Sequence, residues 1–448
     1  LSAQPSNQVL LVEAGPDTPP GEVPSEILEG HHTPGSISNP QYFWDNLRIF
    51  HESLLNSRMR PNPRHYEQGK VMGGSSSING QMALRGLPSD YDEWDAQGAK
   101  GWSYEDVLPY LKRLERDVDF EGPLHGRDGP IPISRQFYEE WPGFSRAIAD
   151  SLEKNNFHYI SDHNADFTDG YFPQAMSNQY DRRVSTAMAY LDSSVRLRKN
   201  LRIMADTFLE SLILDGRRVV GVAVNQNGVK ESFHAAREVI VSAGALHSPA
   251  ILMRAGIGPA DHLKEMGISV VSDLPGVGEN LQEHPSCTIG AHLKSDARIP
   301  STMRRQVLLG MRFSSGLNDC PAGDMHLLIG NKAGWHPLGK KLGYAHVSVY
   351  RSYSQGSVKL RSTAPEDEPI VSFNMCSDDR DTQRLVEGLR LTYDILNTPS
   401  VKACTEGLFP AMYDEKARDM AIPSIRNFVT TSIAAFLLDA SPVTRGLL

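Results

Sequence analysis

The sequence predicts an α/β protein with a parallel sheet, and three stretches lead to this prediction. Val9–Val12 is a continuous apolar run, which is typical of a strand buried on both faces of a parallel sheet. Residues 238–245 form a second predicted buried strand, which runs through small residues into a helix predicted over 248–255. Residues 69–80 are a glycine- and serine-rich block that neither a strand nor a helix interior favours. Small residues at such turns allow a ligand to approach the backbone, or a helix to pack closely on a sheet.

The glycine- and serine-rich block has the composition of a ligand-binding loop. Paired glycines, Gly73 and Gly74, let the backbone approach a ligand where any Cβ would clash. The successive amides and serine hydroxyls that follow can surround an anion or a polar ring. A flexible linker is the alternative reading of such a run. The apolar neighbours Val71 and Ile78 favour the loop, because a linker has no need of them.

Composition limits the classes of protein to which the chain can belong. A chain of 448 residues is too long for one simple core and predicts two or three folding units. The net charge of −9, with no basic cluster, argues against a nucleic-acid partner. No apolar run reaches the roughly 18 residues of a membrane span. The four cysteines are scattered without metal-ligand spacing, so we expect no metal site and a reducing, cytoplasmic location.

Glu13 follows the first strand directly. Dinucleotide-binding units place a carboxylate there to accept the ribose hydroxyl. In those units a GxGxxG loop precedes the acid by about 20 residues, which would lie before Leu1. Glu13 is therefore a candidate ribose ligand, and a solvated acid at the end of a strand is the alternative.

Caps and turn residues delimit the other predicted elements. Ser103 is a helix N-cap followed by acids, and Pro109 should kink the helix that it starts. Asp215 and Gly216 signal a hairpin turn. From 16 to 63 the chain has little periodicity, and Tyr42, Phe43 and Trp44 are its expected packing anchor. Further predicted elements are a helix over 142–154 and strands over 131–133, 201–205, 209–214 and 219–224.

Two long stretches resemble the signature patterns of the glucose–methanol–choline (GMC) flavoprotein oxidoreductases. They read GKVMGGSSSINGQMALRG, starting at Gly69, and GALHSPAILMRAGIGP over 244–259. The segments VLLVEAG, DLPGVGENLQEHP and SVKLR are also similar to family segments and occur in the family's order. The resemblance covers nearly the whole chain, and its motifs are most similar to the choline-dehydrogenase-like branch.

The resemblance implies two domains built from alternating segments of chain. A doubly wound, Rossmann-like α/β domain would hold FAD and take up residues 1–135 and 205–285. An α+β substrate domain, whose antiparallel sheet closes over the flavin, would take up 136–204 and 286–425. Residues 426–448 would be an incomplete C-terminal segment.

The resemblance also assigns cofactor-binding roles to individual residues. Glu13 would bind the adenosine ribose and the Leu209 backbone the adenine, while residues 79–82 would run beneath the isoalloxazine ring. The full set that the resemblance places around FAD is Glu13, Val71, Gly73, Gly74, Ser75, Ser76, Asn79, Gly80, Gln81, Met82, Leu209, Ala243 and Gly244.

Two departures from the family pattern affect the expected chemistry. The GxGxxG loop is absent, and so is the histidine that family members carry in a segment resembling HPxGTxxMG. No histidine follows His346, so the catalytic base is left unassigned. His284 is a weaker candidate, because a histidine between Glu283 and Pro285 is typical of a hydrogen-bonded corner. These departures suggest a truncated or degenerate family member.

The predicted function is oxidation of an alcohol by an FAD-dependent oxidoreductase. A base takes the hydroxyl proton while hydride moves from the CH–OH carbon to the flavin. The acceptor that reoxidises the flavin, oxygen or a quinone-like molecule, stays open. Two alternatives remain: a hydroxynitrile lyase on the same fold, and a catalytically dead family member.

Overall fold

The computed structural model describes residues 1–29, 39–51, 62–412 and 415–440. The strands are β1 Val9–Val12, β2 Arg48–Phe50, β3 Arg64–His65, β4 Glu115–Asp117, β5 Ile131–Ser134, β6 Gly170–Pro173, β7 Met176–Gln179, β8 Arg182–Arg183, β9 Leu201–Met204, β10 Thr207–Asp215, β11 Arg218–Gln226, β12 Val229–His234, β13 Ile257–Gly258, β14 Ser272–Asp273, β15 Ser286–Leu293, β16 Val307–Phe313, β17 Met325–Gly330, β18 Leu342–Val349, β19 Ser357–Lys359, β20 Ile370–Ser372 and β21 Thr405–Ala411. The helices are α1 Ser25–Leu28, α2 Pro88–Ala96, α3 Tyr104–Leu114, α4 Gly143–Lys154, α5 Thr186–Tyr190, α6 Ser193–Arg196, α7 Gly244–Arg254, α8 Ala260–Glu265, α9 Asp379–Leu396, α10 Pro399–Cys404, α11 Glu415–Ala421 and α12 Ile425–Ala440.

The largest sheet has six antiparallel strands in the order β21-β15-β18-β17-β16-β6. Side chains alternate between its two faces. One face packs beneath α4, α9 and α10 and forms the main core, in which Phe144, Leu327 and Val347 are at most 1% exposed. The predicted α+β unit with an antiparallel sheet is confirmed by this arrangement.

The opposite face of this sheet carries aromatic rings that lie across glycines. Gly330 pairs with Tyr344 on the next strand, and a Cβ on Gly330 would come within 2.1 Å of that ring. Gly310 pairs with Phe172 in the same way, with the nearest ring atom at 2.6 Å. The glycines therefore let the rings lie flat against the neighbouring strands.

β1 pairs with β9 in parallel, with Val9 opposite Leu201, as the continuous apolar run predicts. Its four side chains are half-buried rather than buried on both faces. In the described part of the chain, this sheet has two strands only, β1 and β9.

The prediction of a buried strand within 238–245 is wrong. Residues 238–243 form no strand, and Ile240 is 58% exposed. A strand needs a neighbour that accepts its backbone hydrogen bonds, and no described strand lies beside this segment. The helix predicted to follow is present as α7, and it begins at Gly244.

The other predicted elements agree with the structure at their centres. Ser103 caps α3 by accepting the Asp106 amide hydrogen at 3.3 Å, with Pro109 inside the helix. α4 and β5 occupy the predicted ranges, and β10 and β11 form the predicted hairpin, while β12 was not predicted. Tyr42 and Phe43 are buried, as expected of a packing anchor. Residues 30–38 and 52–61 of the expected surface excursion lie outside the described residues.

Three smaller sheets connect the remaining parts of the chain. They have the orders β19-β20-β2-β3, β4-β5-β7-β8 and β10-β11-β12. None of the helices in the described residues has both the length and the apolar character needed to cross a membrane.

Because the Tyr344 ring lies across Gly330, a methyl group added at position 330 should destabilise the fold. Gly330→Ala should lower the free energy of unfolding by about 1–3 kcal/mol, because the Tyr344 ring must move to admit the Cβ. Urea denaturation measures the change. The matched control is Gly407→Ala on β21 of the same sheet, where a Cβ meets nothing within 4 Å. That control should change stability by less than about 0.5 kcal/mol. An equal loss in both variants would contradict the explanation.

Candidate functional site

The glycine- and serine-rich block forms a tight loop with one open side. Gly73 and Gly74 have φ angles of 89° and 56°, which L side chains rarely adopt, and they lead into a short 3-10 turn over Gly74–Ser77. A Cβ on Gly73 would lie 2.8 Å from Ser77 Oγ, whereas a Cβ on Gly74 would meet nothing within 4 Å. Ser75 is exposed, and the Ser76 hydroxyl donates to the Gly73 carbonyl oxygen at 2.6 Å. The loop is thus packed on one side and open on the other.

The end of β1 lies directly against this loop. A Cβ on Gly15 would come within 1.9 Å of the Lys70 carbonyl oxygen, and Met72 donates its amide hydrogen to the Pro16 carbonyl oxygen at 2.9 Å. Glu13 accepts the Gly15 amide hydrogen at 2.9 Å. Burial raises the pKa of the Glu13 carboxyl, although the nearby amides and the Lys70 ammonium act in the opposite direction. The structure therefore brings the strand-end acid and the loop into one place.

Residues 79–82 extend the open side of the loop. Asn79, Gly80 and Met82 are exposed, whereas Gln81 is buried and has a φ angle of 64°. Gln81 Oε1 accepts a hydrogen bond from Asn178 at 2.9 Å. Gln81 Nε2 is buried and has no hydrogen-bond partner among the described residues. A buried amide group without a partner is costly, and a bound ligand would relieve that cost.

Ala243 and Gly244 approach the same loop through Gln68. Gln68 Nε2 donates to the Ala243 carbonyl oxygen at 3.5 Å and lies 2.6 Å from the position of a Cβ on Gly244. Gln68 Oε1 is a second buried atom without a hydrogen-bond partner in the described parts of the chain. Leu209 lies half-buried on β10, whose first residue, Thr207, donates its amide hydrogen to the Glu13 carbonyl oxygen at 2.9 Å.

Val71 is fully buried and packs with Ile27, Tyr42 and Ile78 in a small apolar cluster. Its side chain therefore supports the loop from below, and only its backbone is available to a ligand. The predicted residues therefore lie mainly in three places: on the loop, at the end of β1 and at the start of α7. The open glycine, the accessible segment and the two unpartnered amide atoms fit a flat cofactor with anionic groups, as FAD is.

A buried ion network, which the sequence did not predict, lies beneath this site. His125 Nε2 lies 2.7 Å from Asp162, and the Arg135 guanidinium lies 2.9 Å from Asp117 and 3.1 Å from Asp162. Glu115, Asp117 and His125 also have the mutual spacing of metal ligands. Arg135 lies between Asp117 and Asp162, so these groups form a buried ion network.

This network supports the segment that follows Met82. Arg85 forms a short ion pair with Glu115. Asn164 accepts the Arg85 amide hydrogen at 3.0 Å and donates to the Ala83 carbonyl oxygen at 2.9 Å. The segment is thereby fixed on the side away from the open loop. The residues of the network come from separate parts of the chain, and no local motif signals their meeting.

The second described component of the site is the ring-bearing face of the six-stranded sheet. His346 Nδ1 lies 2.8 Å from the Thr288 hydroxyl, and burial lowers the pKa of His346. His326, on the same face, is fully buried and stacks on Tyr350 at 4.4 Å. Burial, with smaller contributions from nearby cations, lowers the pKa of His326 to about 3, so this ring stays neutral. A cavity between this face and residues 84–87 is lined by Arg312 and His326.

The fold and the site define a class of protein in which a glycine loop and a strand-end acid cradle a flat cofactor beside an antiparallel sheet. The chain belongs to the GMC oxidoreductase family. The family's N-terminal pattern matches residues 47–286, and its C-terminal pattern matches residues 352–437. The resemblance predicted from the motifs is confirmed, and FAD is the cofactor named for solved structures of this fold.

Individual relatives agree with this assignment. The chain is 43% identical over 407 residues to a 5-(hydroxymethyl)furfural oxidase of Methylovorus sp. (strain MP688), covering 90% of this chain and 75% of the relative. It is 35% identical over 353 residues to an oxygen-dependent choline dehydrogenase of Brucella canis, covering 73% of this chain and 63% of the relative.

The fold resembles that of a pyridoxine 4-oxidase from Mesorbium loti, with a TM-score of 0.80 and 25% identity over 94% of this chain and 82% of that one. The predicted fold class is confirmed by this similarity. The relatives are named as oxidases and dehydrogenases, and they give no support to the hydroxynitrile lyase alternative.

The ion network predicts a pH dependence of stability. Burial disfavours protonation of His125, but hydrogen bonds to Asp117, Asp162 and Glu115 outweigh it and raise the pKa of His125 to about 11. The folded state thus holds a proton that the unfolded chain releases near pH 6.5. This contribution is complete below that pH and is lost as the pH rises toward 11.

The difference in unfolding free energy between the wild type and His125→Gln should therefore shrink between pH 7 and pH 9, by up to about 1.4 kcal/mol per pH unit. Urea denaturation at several pH values measures it. His158→Gln, at an exposed position, is the control and should change the unfolding free energy by less than about 0.5 kcal/mol. A constant difference for His125→Gln would show that His125 is not held protonated.

Proposed function

We propose that this chain binds FAD and oxidises the CH–OH group of an alcohol. The observation that carries the proposal is the cradle described above, with its open glycine at position 74 and the unpartnered amide of Gln81. Membership of the GMC family supports it. Bound FAD supplies the two-electron acceptor for the reaction.

In this proposal the chain's own residues hold the cofactor from three sides. Glu13 accepts a hydrogen bond from the ribose, and residues 73–76 and 79–82 line the diphosphate and the flavin. Leu209, Ala243 and Gly244 approach the nucleotide with their backbones. The proposed domain division follows the alternating segments, with residues 1–135 and 205–285 around the cofactor. A cytoplasmic location also remains a prediction from the sequence.

The proposed substrate is a neutral alcohol on an aromatic or furan-like ring. Strands β15, β16, β17 and β18 contain no aspartate or glutamate, and Arg312 adds a positive charge to the ring-bearing face. A quaternary ammonium group would lack a carboxylate partner on these strands. The half-buried ring of Tyr344 offers a surface on which a planar substrate can stack. The name of the furfural oxidase relative supports the same substrate class, and the names of the oxidase relatives support oxygen as the acceptor.

The first test is an absorbance spectrum of the purified chain with and without added FAD, after gel filtration. Retained flavin bands that bleach when 5-(hydroxymethyl)furfural or benzyl alcohol is added under nitrogen, and that return with peroxide when air is admitted, support the proposal. Choline should bleach the flavin at least 10-fold more slowly. A protein that retains no FAD contradicts the proposal, and one that retains FAD without bleaching matches the catalytically dead alternative.

His346 is the histidine that we propose to contact the substrate. Its ring lies on the sheet face opposite the helices, held by Thr288, and burial keeps it neutral so that it can exchange a hydrogen bond with a hydroxyl group.

His346→Ala should lower kcat/KM for the best alcohol by roughly 10- to 100-fold, as expected for the loss of one such hydrogen bond. Steady-state kinetics measures it. The control is His234→Ala on β12, where the side chain is exposed and unchanged kinetics are expected. Unchanged kinetics in His346→Ala would exclude this role.

A further inference from the structure

Arg183 is a fully buried arginine that contacts the glycine–serine loop from behind. The residue is 1% exposed and ends β8. Its guanidinium donates to the Ile27 carbonyl oxygen at 2.9 Å and to the Ser76 carbonyl oxygen at 3.0 Å. It also donates to Asn79 Oδ1 at 2.8 Å and to the Asn79 carbonyl oxygen at 2.7 Å. Three of its four acceptors therefore belong to the loop that cradles the proposed cofactor.

Among the described residues, no carboxylate pairs with the positive charge of Arg183. None of the ion pairs between described residues includes it, and burial alone lowers the pKa of Arg183 to about 10. Two other buried arginines differ in this respect, since Arg135 pairs with Asp117 and Arg305 with Asp181. Arg312 is similar to Arg183, because it donates to the carbonyl oxygens of His163 and Asp166. A buried charge without a counter-ion is costly, so a site that retains one has a use for the charge.

The hydrogen bonds of Arg183 also fix the orientation of the Asn79 amide. Asn79 Oδ1 accepts from Arg183 and from the Gln81 amide at 3.0 Å, so the oxygen must point toward the interior. The NH₂ group then points the other way, toward the open side of the loop, where Asn79 is exposed. It donates no hydrogen bond to any described residue. Arg183 thus holds the Asn79 NH₂ group toward the open side of the loop, and the positive charge of its guanidinium lies behind that group.

We propose that Arg183 is the positioning residue for the diphosphate of the bound dinucleotide. Its charge attracts the anionic diphosphate through the loop. Asn79 is the first residue of the segment expected beneath the flavin ring and lies next to the glycine–serine turn, and the hydrogen bonds of Arg183 direct its side-chain amide back toward a phosphate oxygen. The inference rests on the proposed function, because it presupposes that the cradle holds FAD. Arg183, which lies outside the glycine–serine loop, would then compensate the negative charge of the diphosphate.

The test compares FAD with riboflavin, which has the same ring system and no phosphate. Flavin fluorescence titrations of the full chain give the dissociation constant of each ligand at several salt concentrations. For the wild type we expect FAD to bind much more tightly than riboflavin, with an affinity that falls as salt rises. Arg183→Met should weaken FAD binding by about 10- to 100-fold, leave riboflavin binding within about 2-fold, and reduce the salt dependence. Arg183→Lys should recover part of the FAD affinity, because the charge is kept and the planar fork is lost.

If Arg183 has only a structural role, Arg183→Met should weaken the binding of FAD and of riboflavin by the same factor. That result would overturn the inference. Arg384→Met is the matched control, since Arg384 is also buried but pairs with Asp324 and Asp381 instead of contacting the loop. It should leave the ratio of FAD to riboflavin affinity unchanged.

If Arg183→Met does not fold, Asn79→Ala at an exposed position tests the same geometry and should lower the affinity for FAD but not the affinity for riboflavin. A wild type that binds neither ligand contradicts the proposed function, whereas an unchanged affinity ratio in Arg183→Met and Asn79→Ala contradicts this inference alone.

Discussion

The close approach of Gly15 to the Lys70 carbonyl oxygen is the contact on which the candidate site depends. At 1.9 Å from a hypothetical Cβ, the contact excludes every residue except glycine. It brings the acid that follows β1 against the loop that begins at Gly69, although more than 50 residues separate them along the chain. The proposed ribose-binding acid and the proposed phosphate-binding loop lie in one place for this reason.

The chain contains two kinds of buried positive charge, and they serve different purposes. In the network around Arg135, cations and carboxylates form ion pairs with one another, and Arg85 and Asn164 connect the network to residues 83–85. Arg183 instead contacts carbonyl and amide oxygens, which carry only partial charges. Its positive charge therefore extends to the open side of the loop.

Local sequence predicted the parts of the site that depend on backbone conformation. Gly73 and Gly74 indicated a loop rather than a strand or a helix interior, and Val9–Val12 indicated a parallel strand. The failures involve partners far away in sequence. The predicted strand within 238–245 lacks a described neighbour, so its apolar residues alone could not make it a strand. The ion network and the role of Arg183 went unpredicted because their members come from separate segments, and a single sequence does not show which charges meet.

The two-stranded sheet of β1 and β9 has a consequence for work with the isolated chain. Within the described ranges, no strand pairs with the second edge of β1, whose valine and leucine side chains are half-buried. Such an edge is a template for pairing with another molecule. Ile240 exposes apolar surface in the unpaired segment that precedes α7. Self-association through these surfaces would make the colloidal behaviour of the purified protein depend on its concentration, independently of any chemistry in the cradle.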